Sequence, residues 1–328
     1  MIKGTRFVFN SVKNRGQKAM KELVYCPNAL ARSLRKGKTK TLGLILLDSA
    51  NTFFAEPGQA IENFTFRNNY NVILCNTGGS VERERLYFDL LLDKQVDGII
   101  LDTEEKDLKP IKDRLSSGFP IVQVDRDFSE NVFDNVLTDN ALGGYLATQH
   151  LIRLGHRRIG CITGSMDLSS GVNRLRGYKQ ALKEANIAIV DELIVGGDFS
   201  SVSGRVAGQK LLSLTEPPTA IFAGNDMMAI GLLRSAVDMK YKVPEDLAII
   251  GFDDIELSSY LYPTLTTIAQ PKAEIGEKAI ELLLARLENR SQPPQRVLIP
   301  PKLIIRVSTG LILELSDDSM AKDSSVLN

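Results

Sequence analysis

Short runs of apolar and β-branched residues alternate along this chain with longer segments of helical periodicity. The apolar runs predict strands at 42–48, 71–75, 98–101, 120–124, 158–163, 193–196, 219–223 and 247–252. Between them, apolar positions recurring every three or four residues predict helices at 81–94, 140–154, 174–185, 204–214, 226–239 and 275–288. Because the strands are apolar throughout rather than at every second residue, they are typical of parallel sheets covered by helices on both faces.

The order of these elements predicts two lobes of the α/β class, each built on a doubly wound parallel sheet. About five strands precede a break near residues 138–141, a comparable set follows it, and the chain is expected to return to the first lobe after Gln270. The expected domains are an N-lobe of residues 41–139 and 271–300, a C-lobe of residues 140–270 and 301–312, and a flexible tail of residues 313–328.

A short basic segment precedes the first predicted strand. Five cations lie between Arg32 and Lys40 with no acidic residue among them, and Asn28 can cap a short helix there. Such a helix is marginal in water by itself, so an anionic partner is expected to order it. A solvated linker is the alternative, but Leu30 and Leu34 supply an apolar face that a linker does not need.

The distribution of charge favours a polyanionic partner. The chain has 40 Lys and Arg against 40 Asp and Glu, so its net charge is zero. Residues 1–40 contain eleven of the cations and one acidic residue, which gives that segment a charge of +10 and leaves −10 on residues 41–328. No long apolar face accompanies the basic segment, so nucleic acid is a better partner for it than a membrane.

Several classes of protein are excluded by composition and by the length of the apolar runs. The longest runs are too short to span a bilayer, and residues 1–25 contain no signal-peptide core. The residues that could serve a metal site or a disulfide are Cys26, Cys75, Cys161, His150 and His156. Their number and spacing suit neither role, so we expect a cytoplasmic protein with no metal and no cofactor.

Polar and aromatic residues follow the predicted strands, where open parallel sheets bind their ligands. The candidates are Asn51, Phe53, Phe54, Asp125, Arg126, Arg174, Phe199, Asn225, Asp253 and Gln270. Arg174 is expected to open a helix after the loop at 164–171. No nucleophile with a matching base stands among them, so no catalytic residue is assigned and an enzyme is not expected.

This set of side chains suits a sugar. Aromatic rings can cover the C–H faces of a pyranose, while Asp, Asn, Arg and Gln can pair with its hydroxyl groups. Taken singly, each residue is as often structural, since an Asp after a strand can cap a helix and a Phe can fill a core. Ten of them at strand ends together favour a binding site.

Several strings in the chain resemble the lactose/galactose repressor family of transcriptional regulators. The strings are PNALARSL at 27–34, TLGLI at 41–45, VDGII at 96–100, GND at 224–226 and GFDD at 251–254. They are highly specific in combination, and the resemblance runs from about residue 6 to residue 310. The strings at 138–144 and 253–257 look closest to ribose operon repressors. The resemblance implies a periplasmic-binding-protein-like type I fold and a homodimer.

The resemblance also implies roles for the candidate residues. The effector lobes of the family resemble periplasmic sugar-binding proteins, whose ribose contacts fall on the ten candidates, each matched in type. D-Ribose is therefore the expected effector. In the family, paired hinge helices enter the minor groove of operator DNA and a leucine wedges between base steps, the position that Leu34 holds here. The residues expected to contact DNA are Asn28, Ala31, Arg32, Leu34 and Arg35.

The chain departs from the family in two places. Family members begin with a three-helix DNA-binding domain, whereas residues 1–26 match only the segment running into its third helix. We therefore expect a truncated domain, followed by a hinge helix and basic linker at 27–40; either the true start lies upstream, or specific operator binding is lost. The family also has proline before the paired Phe residues, where this chain has Thr52 and carries Pro57 further on.

The expected mechanism is a two-state switch in which sugar closes the cleft between the lobes and moves the hinge helices of the dimer. Three alternatives remain open. A transport-type sugar-binding protein would share the lobes but would need a secretion signal and no basic hinge. A sugar-converting enzyme would need an acid/base pair, for which Asp125 and Asp253 are candidates in number only. The third is a family member that responds to another sugar or to a protein corepressor.

Overall fold

The computed structural model of the chain describes residues 10–22, 38–47, 52–103, 109–115, 118–127 and 132–310. Most of the predicted hinge segment at 27–40 and the whole predicted tail at 313–328 lie outside these ranges.

The strands of the described residues are named here in chain order. They are β1 (Thr41–Leu46), β2 (Asn71–Asn76), β3 (Gly98–Leu101), β4 (Ile121–Val124), β5 (Asp134–Thr138), β6 (Ile159–Thr163), β7 (Ile194–Gly196), β8 (Ala220–Ala223), β9 (Ala248–Asp253), β10 (Thr266–Ala269), β11 (Arg296–Ile299) and β12 (Lys302–Ile304).

The α-helices of the same residues are α1 (Asn10–Glu22), α2 (Thr52–Arg67), α3 (Val81–Asp93), α4 (Lys109–Arg114), α5 (Asn140–Arg153), α6 (Ser169–Glu184), α7 (Ser201–Leu212), α8 (Asp226–Asp238) and α9 (Lys272–Glu288). Within the described ranges, no helix is both long enough and apolar enough to cross a membrane.

The strands assemble into two sheets of similar topology. The first has the order β11-β5-β4-β3-β1-β2, and the second has the order β12-β10-β9-β8-β6-β7. Every pairing is parallel except that of β12 with β10. Each sheet reverses its direction of winding at one point, between β1 and β3 in the first and between β6 and β8 in the second, and such points are where open sheets bind ligands.

Helices cover both faces of each sheet, which explains the continuous apolar strands. Successive residues of a strand point to opposite faces. In β1, Leu44 packs with Ile280 of α9, and its neighbour Ile45 packs with Leu91 of α3 on the other face. The second sheet is covered in the same way by α7 and α8 on one face and by α5 and α6 on the other. Each fully buried Leu or Ile contributes roughly 1.5–3 kcal/mol to these cores.

The chain passes between the sheets at places that lie close together. It leaves the first sheet after β5 and enters α5, where the carboxylate of Asp139 accepts a hydrogen bond from Leu142 N at 2.9 Å and caps the helix. It returns after β10 through Gln270 and Pro271 into α9, and it crosses again between β11 and β12. The Asp139 amide donates to Ile299 O at 2.9 Å, which holds two of these crossings side by side.

The predicted fold class is confirmed, since two helix-covered, mainly parallel sheets form the body of the chain. The sequence pattern misses β5, β10, β11 and β12. β5 and β10 begin with polar pairs, Asp134 with Asn135 and Thr266 with Thr267, and β11 and β12 are edge strands with exposed positions. The pattern also misses α2, whose sequence contains Pro57. The residue limits of the two lobes remain predictions.

Candidate functional site

The carboxyl ends of β6, β8 and β9 bring several of the predicted residues together. Asn225 lies just past the end of β8 and caps α8, because its Oδ1 accepts a hydrogen bond from Met228 N at 2.8 Å. Its Nδ2 donates to the main-chain oxygen of Phe199 at 3.0 Å, which ties it to the loop after β7. Asn225 therefore caps a helix, which is the structural role that a polar residue after a strand often has, and it also contacts Phe199.

Arg174 is the centre of the group. The prediction that it opens a helix is wrong: α6 begins at Ser169, with small residues that resemble a loop, and Arg174 lies in its second turn. The side chain is only 5% exposed. Its Nε donates to Asn140 Oδ1 at 2.8 Å and its Nη1 donates to Gly224 O at 2.6 Å. Since both acceptors are uncharged, the buried guanidinium still needs a carboxylate.

Asp253 supplies that carboxylate. It ends β9, and its Oδ1 lies 3.5 Å from Arg174 Nη1. Gln270 Nε2 donates to the same oxygen at 2.7 Å, and Gln270 Oε1 accepts from Thr138 Oγ1 at 2.6 Å. Burial raises the pKa of Asp253 to about 6, and the charge of Arg174 and the hydrogen bond from Gln270 act in the opposite direction. At neutral pH this carboxyl group is therefore mostly ionised, and its oxygens can accept hydrogen bonds from a polar ligand.

Aromatic rings stack against the guanidinium. Arg174 Cζ lies 3.6 Å from the ring centroid of Phe252 and 5.6 Å from that of Phe199. Cations over ring faces at such distances are attracted by the ring quadrupole. Burial lowers the pKa of Arg174, while the charges of Asp253, Asp125 and Asp226 raise it. The stacking and these three carboxylates together compensate the buried positive charge.

Asp125 and Arg126 approach from the first sheet, directly after β4. Burial raises the pKa of Asp125, and the charges of Arg174 and Arg126 lower it. Asp125 and Arg174 therefore interact across the boundary between the sheets. Asn135 Nδ2 donates to the main-chain oxygen of Arg126 at 2.9 Å, so the neighbouring strand holds that residue. The arrangement places acceptors from both sheets around one guanidinium.

Three of the predicted residues have a left-handed backbone. The φ angles are 66° at Asp125, 70° at Phe199 and 112° at Asp253. Non-glycine residues in this region are strained, and such strain concentrates at functional sites, where the surrounding structure enforces it. These three strained residues all lie at or just after strand ends, which indicates a functional site from backbone conformation alone, without regard to the type of side chain.

The remaining predicted residues are only partly described. Phe53 and Phe54 belong to the first turn of α2. Asn51 lies outside the described residues, as do the predicted DNA contacts Asn28, Ala31, Arg32, Leu34 and Arg35.

Sequence reasoning misses four residues of this group: Thr138, Asn140, Asp226 and Phe252. Thr138 and Asn140 flank the end of β5, so the strand-end rule would find them once β5 is recognised. Asp226 is fully buried and accepts hydrogen bonds from Ile255 N at 3.0 Å and Ser258 Oγ at 2.7 Å on one oxygen, and from Thr267 Oγ1 at 2.6 Å on the other. Burial and the charge of Asp253 raise its pKa to about 7.

A polar cavity of about 140 Å³ lies beside the crossings rather than over Asp253. Its walls come from the crossing after β5, from α6 and from β11, and of the ten predicted residues it includes Asp125. Arg296 on its edge forms an ion pair with Asp127 at 2.6 Å. Thr138 and Asn140 line the cavity as well, so it adjoins the group around Arg174.

The arrangement can bind a polyol but offers little for catalysis. Charged donors and acceptors gather near Arg174 at the boundary between the two sheets, and hydroxyl groups bound to charged partners make strong hydrogen bonds. In the part of the chain that the structure describes, no group of three or more His, Cys, Asp or Glu is arranged to hold a metal ion. His150 Nε2 lies 2.9 Å from Thr309 Oγ1, and His156 Nδ1 lies 2.9 Å from Thr219 Oγ1.

Known proteins match both the fold and most of the chain. Residues 148–309 match the family model described as periplasmic binding protein-like domain. The chain is 40% identical to the ribose operon repressor of Haemophilus influenzae, over 94% of this chain and 92% of that protein. It is 37% identical to the HTH-type transcriptional repressor PurR of Vibrio atlanticus, over 93% of this chain and 92% of that protein.

A solved structure adds a bound ligand to these comparisons. A LacI family transcriptional regulator from Enterococcus faecium, with bound ribose, superposes with a TM-score of 0.74 at 33% identity, over 82% of this chain and 98% of that one. The relatives are thus transcriptional repressors and regulators.

Proposed function

This chain belongs to the LacI family of transcriptional regulators, and from that premise we propose that it is a repressor whose effector is D-ribose. The observation that carries the proposal is the buried Arg174, which pairs with Asp253 of the second sheet and interacts electrostatically with Asp125 of the first. A ligand between the sheets can use hydrogen bonds from both, so its binding favours one arrangement of the lobes over the other.

The residue types support a sugar of this size as the ligand. Asp253, Gln270 and Asn225 supply acceptors and donors in the group around Arg174, and the partly buried ring of Phe199 supplies apolar surface, while the fully buried Phe252 stacks on Arg174. Two solved LacI family regulators similar to this chain contain bound ribose. The similarity to PurR is almost as high as that to the ribose operon repressor, so another effector is the alternative to test.

The regulatory step we propose is a change in DNA affinity when the sugar binds. The charge of +10 on residues 1–40 supports an interaction with operator DNA through the hinge segment. Ribose need only favour one lobe arrangement by about 1–3 kcal/mol to change DNA affinity usefully.

We propose further that the chain acts as a homodimer. Large apolar side chains are exposed on three consecutive elements of the first lobe: Phe66 of α2, Leu74 of the edge strand β2, and Leu86 of α3. Exposed apolar side chains on the edge strand β2 and on the helices at either face of it support a protein–protein contact. Sedimentation equilibrium should give about twice the chain mass of 36.2 kDa, and a purely monomeric species at micromolar concentration would contradict the proposal.

Thermal unfolding in the presence of sugars tests the effector. Ribose should raise the melting temperature, and the rise should grow with the logarithm of its concentration. At a hundredfold excess over Kd, the free energy of unfolding should be higher by roughly 2.7 kcal/mol. Asp253→Asn should lose most of that gain. Asp254→Asn is the matched control, because Asp254 is the next residue and pairs with Arg306 at 2.7 Å instead.

The comparison ligands in this experiment are D-glucose, cellobiose and hypoxanthine. No shift at millimolar ribose, together with a shift for one of these, would replace ribose as the effector and leave the family assignment intact.

A further inference from the structure

A closed circuit of buried polar side chains surrounds the crossings between the two sheets. Thr138 ends β5, Asn140 begins α5, and Gln270 follows β10, so the circuit includes the chain on its way out of the first sheet and on its way back. Each of these residues is at most 5% exposed. Buried polar groups of this kind are costly unless every one is satisfied.

The contacts run from residue to residue without a gap. Thr138 Oγ1 donates to Gln270 Oε1 at 2.6 Å, and Gln270 Nε2 donates to Asp253 Oδ1 at 2.7 Å. The same Asp253 oxygen lies 3.5 Å from Arg174 Nη1, and Arg174 Nε donates to Asn140 Oδ1 at 2.8 Å. Asn140 Nδ2 donates to the main-chain oxygen of Thr138 at 3.2 Å and closes the circuit.

The circuit determines how both amides are turned. Gln270 must direct its NH₂ group at the Asp253 carboxylate, because the opposite orientation would face two oxygens towards each other. Asn140 must direct its oxygen at Arg174 for the same reason, since a guanidinium has no acceptor. With Nε held by Asn140 and Nη1 held by Gly224 O, Nη2 is the part of Arg174 left for a ligand.

We infer that Thr138 and Asn140 are positioning residues of the ligand site, which orient Gln270 and Arg174 for a sugar and couple that site to the crossings. This inference rests on the proposed function, in which Arg174, Asp253 and Gln270 hold the ligand. Thr138 and Asn140 also line the polar cavity of about 140 Å³, so one side of the circuit adjoins open space rather than packed core. A rotation of the sheets about the crossings must change these hydrogen bonds, and a sugar that fixes Arg174 and Gln270 opposes that rotation.

The test compares four variants by calorimetric titration with ribose and by urea unfolding without it. Thr138→Val removes the hydroxyl at nearly constant volume, and Asn140→Ala removes the acceptor for Arg174. Asn140→Asp keeps the acceptor for Arg174 but replaces the donor to Thr138 O with an oxygen, so it separates the two contacts of Asn140. Thr148→Val is the matched control, because the Thr148 hydroxyl is also buried on α5 but donates to Gly144 O at 2.9 Å, outside the circuit.

A positioning role predicts a change in ribose affinity that is separate from any change in stability. Asn140→Ala should raise the Kd for ribose by about tenfold or more, because it removes a hydrogen bond of the charged Arg174. Thr138→Val should raise it by about fivefold, because its hydrogen bond to Gln270 joins two neutral groups. Asn140→Asp should raise the Kd less than Asn140→Ala does, because it keeps the acceptor for Arg174. Thr148→Val should leave the Kd unchanged even where it lowers the free energy of unfolding.

The inference is overturned if Thr138→Val and Asn140→Ala lower the free energy of unfolding yet leave the Kd unchanged, as Thr148→Val is expected to do. That result would leave ribose as the effector and make the circuit structural only. If the unsubstituted chain responds to a different ligand of the panel, the effector assignment fails, and the same four variants decide the inference with that ligand.

Discussion

At the scale of single residues, the site depends on carboxylates that are buried near one guanidinium. Burial raises the pKa of Asp226 to about 7 and that of Asp253 to about 6, from an ordinary value of 3.8. The charge of Asp253 also raises the pKa of Asp226, and that of Asp125 raises the pKa of Asp253, because like charges in a dry environment oppose one another's ionisation. Asp226 therefore titrates near neutral pH, although three hydrogen bonds stabilise its charged form.

This titration predicts a pH dependence of stability. The folded pKa of Asp226 lies above the unfolded value, so its folded form retains a proton that the unfolded chain releases. The contribution of Asp226 to the free energy of unfolding without ligand should therefore fall as pH rises from 6 to 8, by on the order of 1 kcal/mol.

Urea unfolding at pH 6, 7 and 8 measures this fall, and Asp226→Asn is expected to abolish most of it. Burial lowers the pKa of His150 to about 4 and also lowers that of His156, so the unfolded chain releases protons from both as pH rises from 6 to about 7.5, which opposes the fall. The unsubstituted chain and Asp226→Asn share this effect, so the contribution of Asp226 is the difference between their pH profiles. Equal slopes for the unsubstituted chain and for Asp226→Asn would contradict this account of Asp226.

Residue patterns in the sequence identify the side chains proposed to contact the ligand better than the residues that orient those side chains. Asp253 and Asn225 could be found because they stand at the ends of apolar strands, and Gln270 because the chain is expected to cross between the lobes there. Asn140 and Asp226 could not, since their roles depend on which side chains meet them after folding. Asp226 in particular looks like an ordinary acidic residue in the first turn of α8, and only its three hydrogen-bond donors distinguish it.

At the scale of elements, the position of Arg174 depends on the close packing of α5 against α6. A side-chain methyl group at Gly144 of α5 would collide with the main-chain oxygen of Arg174. At Gly177 of α6 it would collide with the main-chain oxygen of Ala141. The two helices can approach this closely only because both positions lack a side chain, and Arg174 reaches Asn140 and Asp253 as a consequence.

Gly144→Ala should therefore cost both stability and affinity. The collision with backbone forces the helices apart and is expected to destabilise the chain by roughly 1–3 kcal/mol, despite the better helix propensity of alanine. Ribose affinity should fall as well, because Arg174 moves with α6. Gly196→Ala is the control, since a methyl group there meets nothing within 4 Å. A Gly144→Ala variant as stable as Gly196→Ala would show that this helix contact is looser than described.

Periodicity predicts the long helices and the buried strands of this fold, because a doubly covered strand must be apolar throughout. It fails for β5, where Asp134 accepts hydrogen bonds from Arg286 Nη2 and from Gln295 N, both at 2.8 Å. Those partners lie about 150 residues away in sequence, so no local pattern can reveal why a polar residue begins a buried strand.

At the scale of the whole molecule, the proposed function couples a sugar site between the two sheets to a strongly basic segment that precedes the first strand. The sequence predicts the sugar site better than it predicts the effect of the sugar on DNA binding. The lobes and their crossings follow from element order, which implies the site at the strand ends. The effect of the sugar on DNA depends on how the lobes of two chains move, which element order does not contain.

Linkage between sugar and DNA is the most direct test of the account. Duplexes selected by the chain from a random-sequence library would be titrated with the protein at constant salt, with and without saturating ribose. The account predicts that ribose changes the Kd for the selected DNA by about 5–150-fold, and that the DNA changes the Kd for ribose by the same factor. Identical DNA affinity in both conditions, for a chain that binds ribose, would contradict the proposed regulatory function.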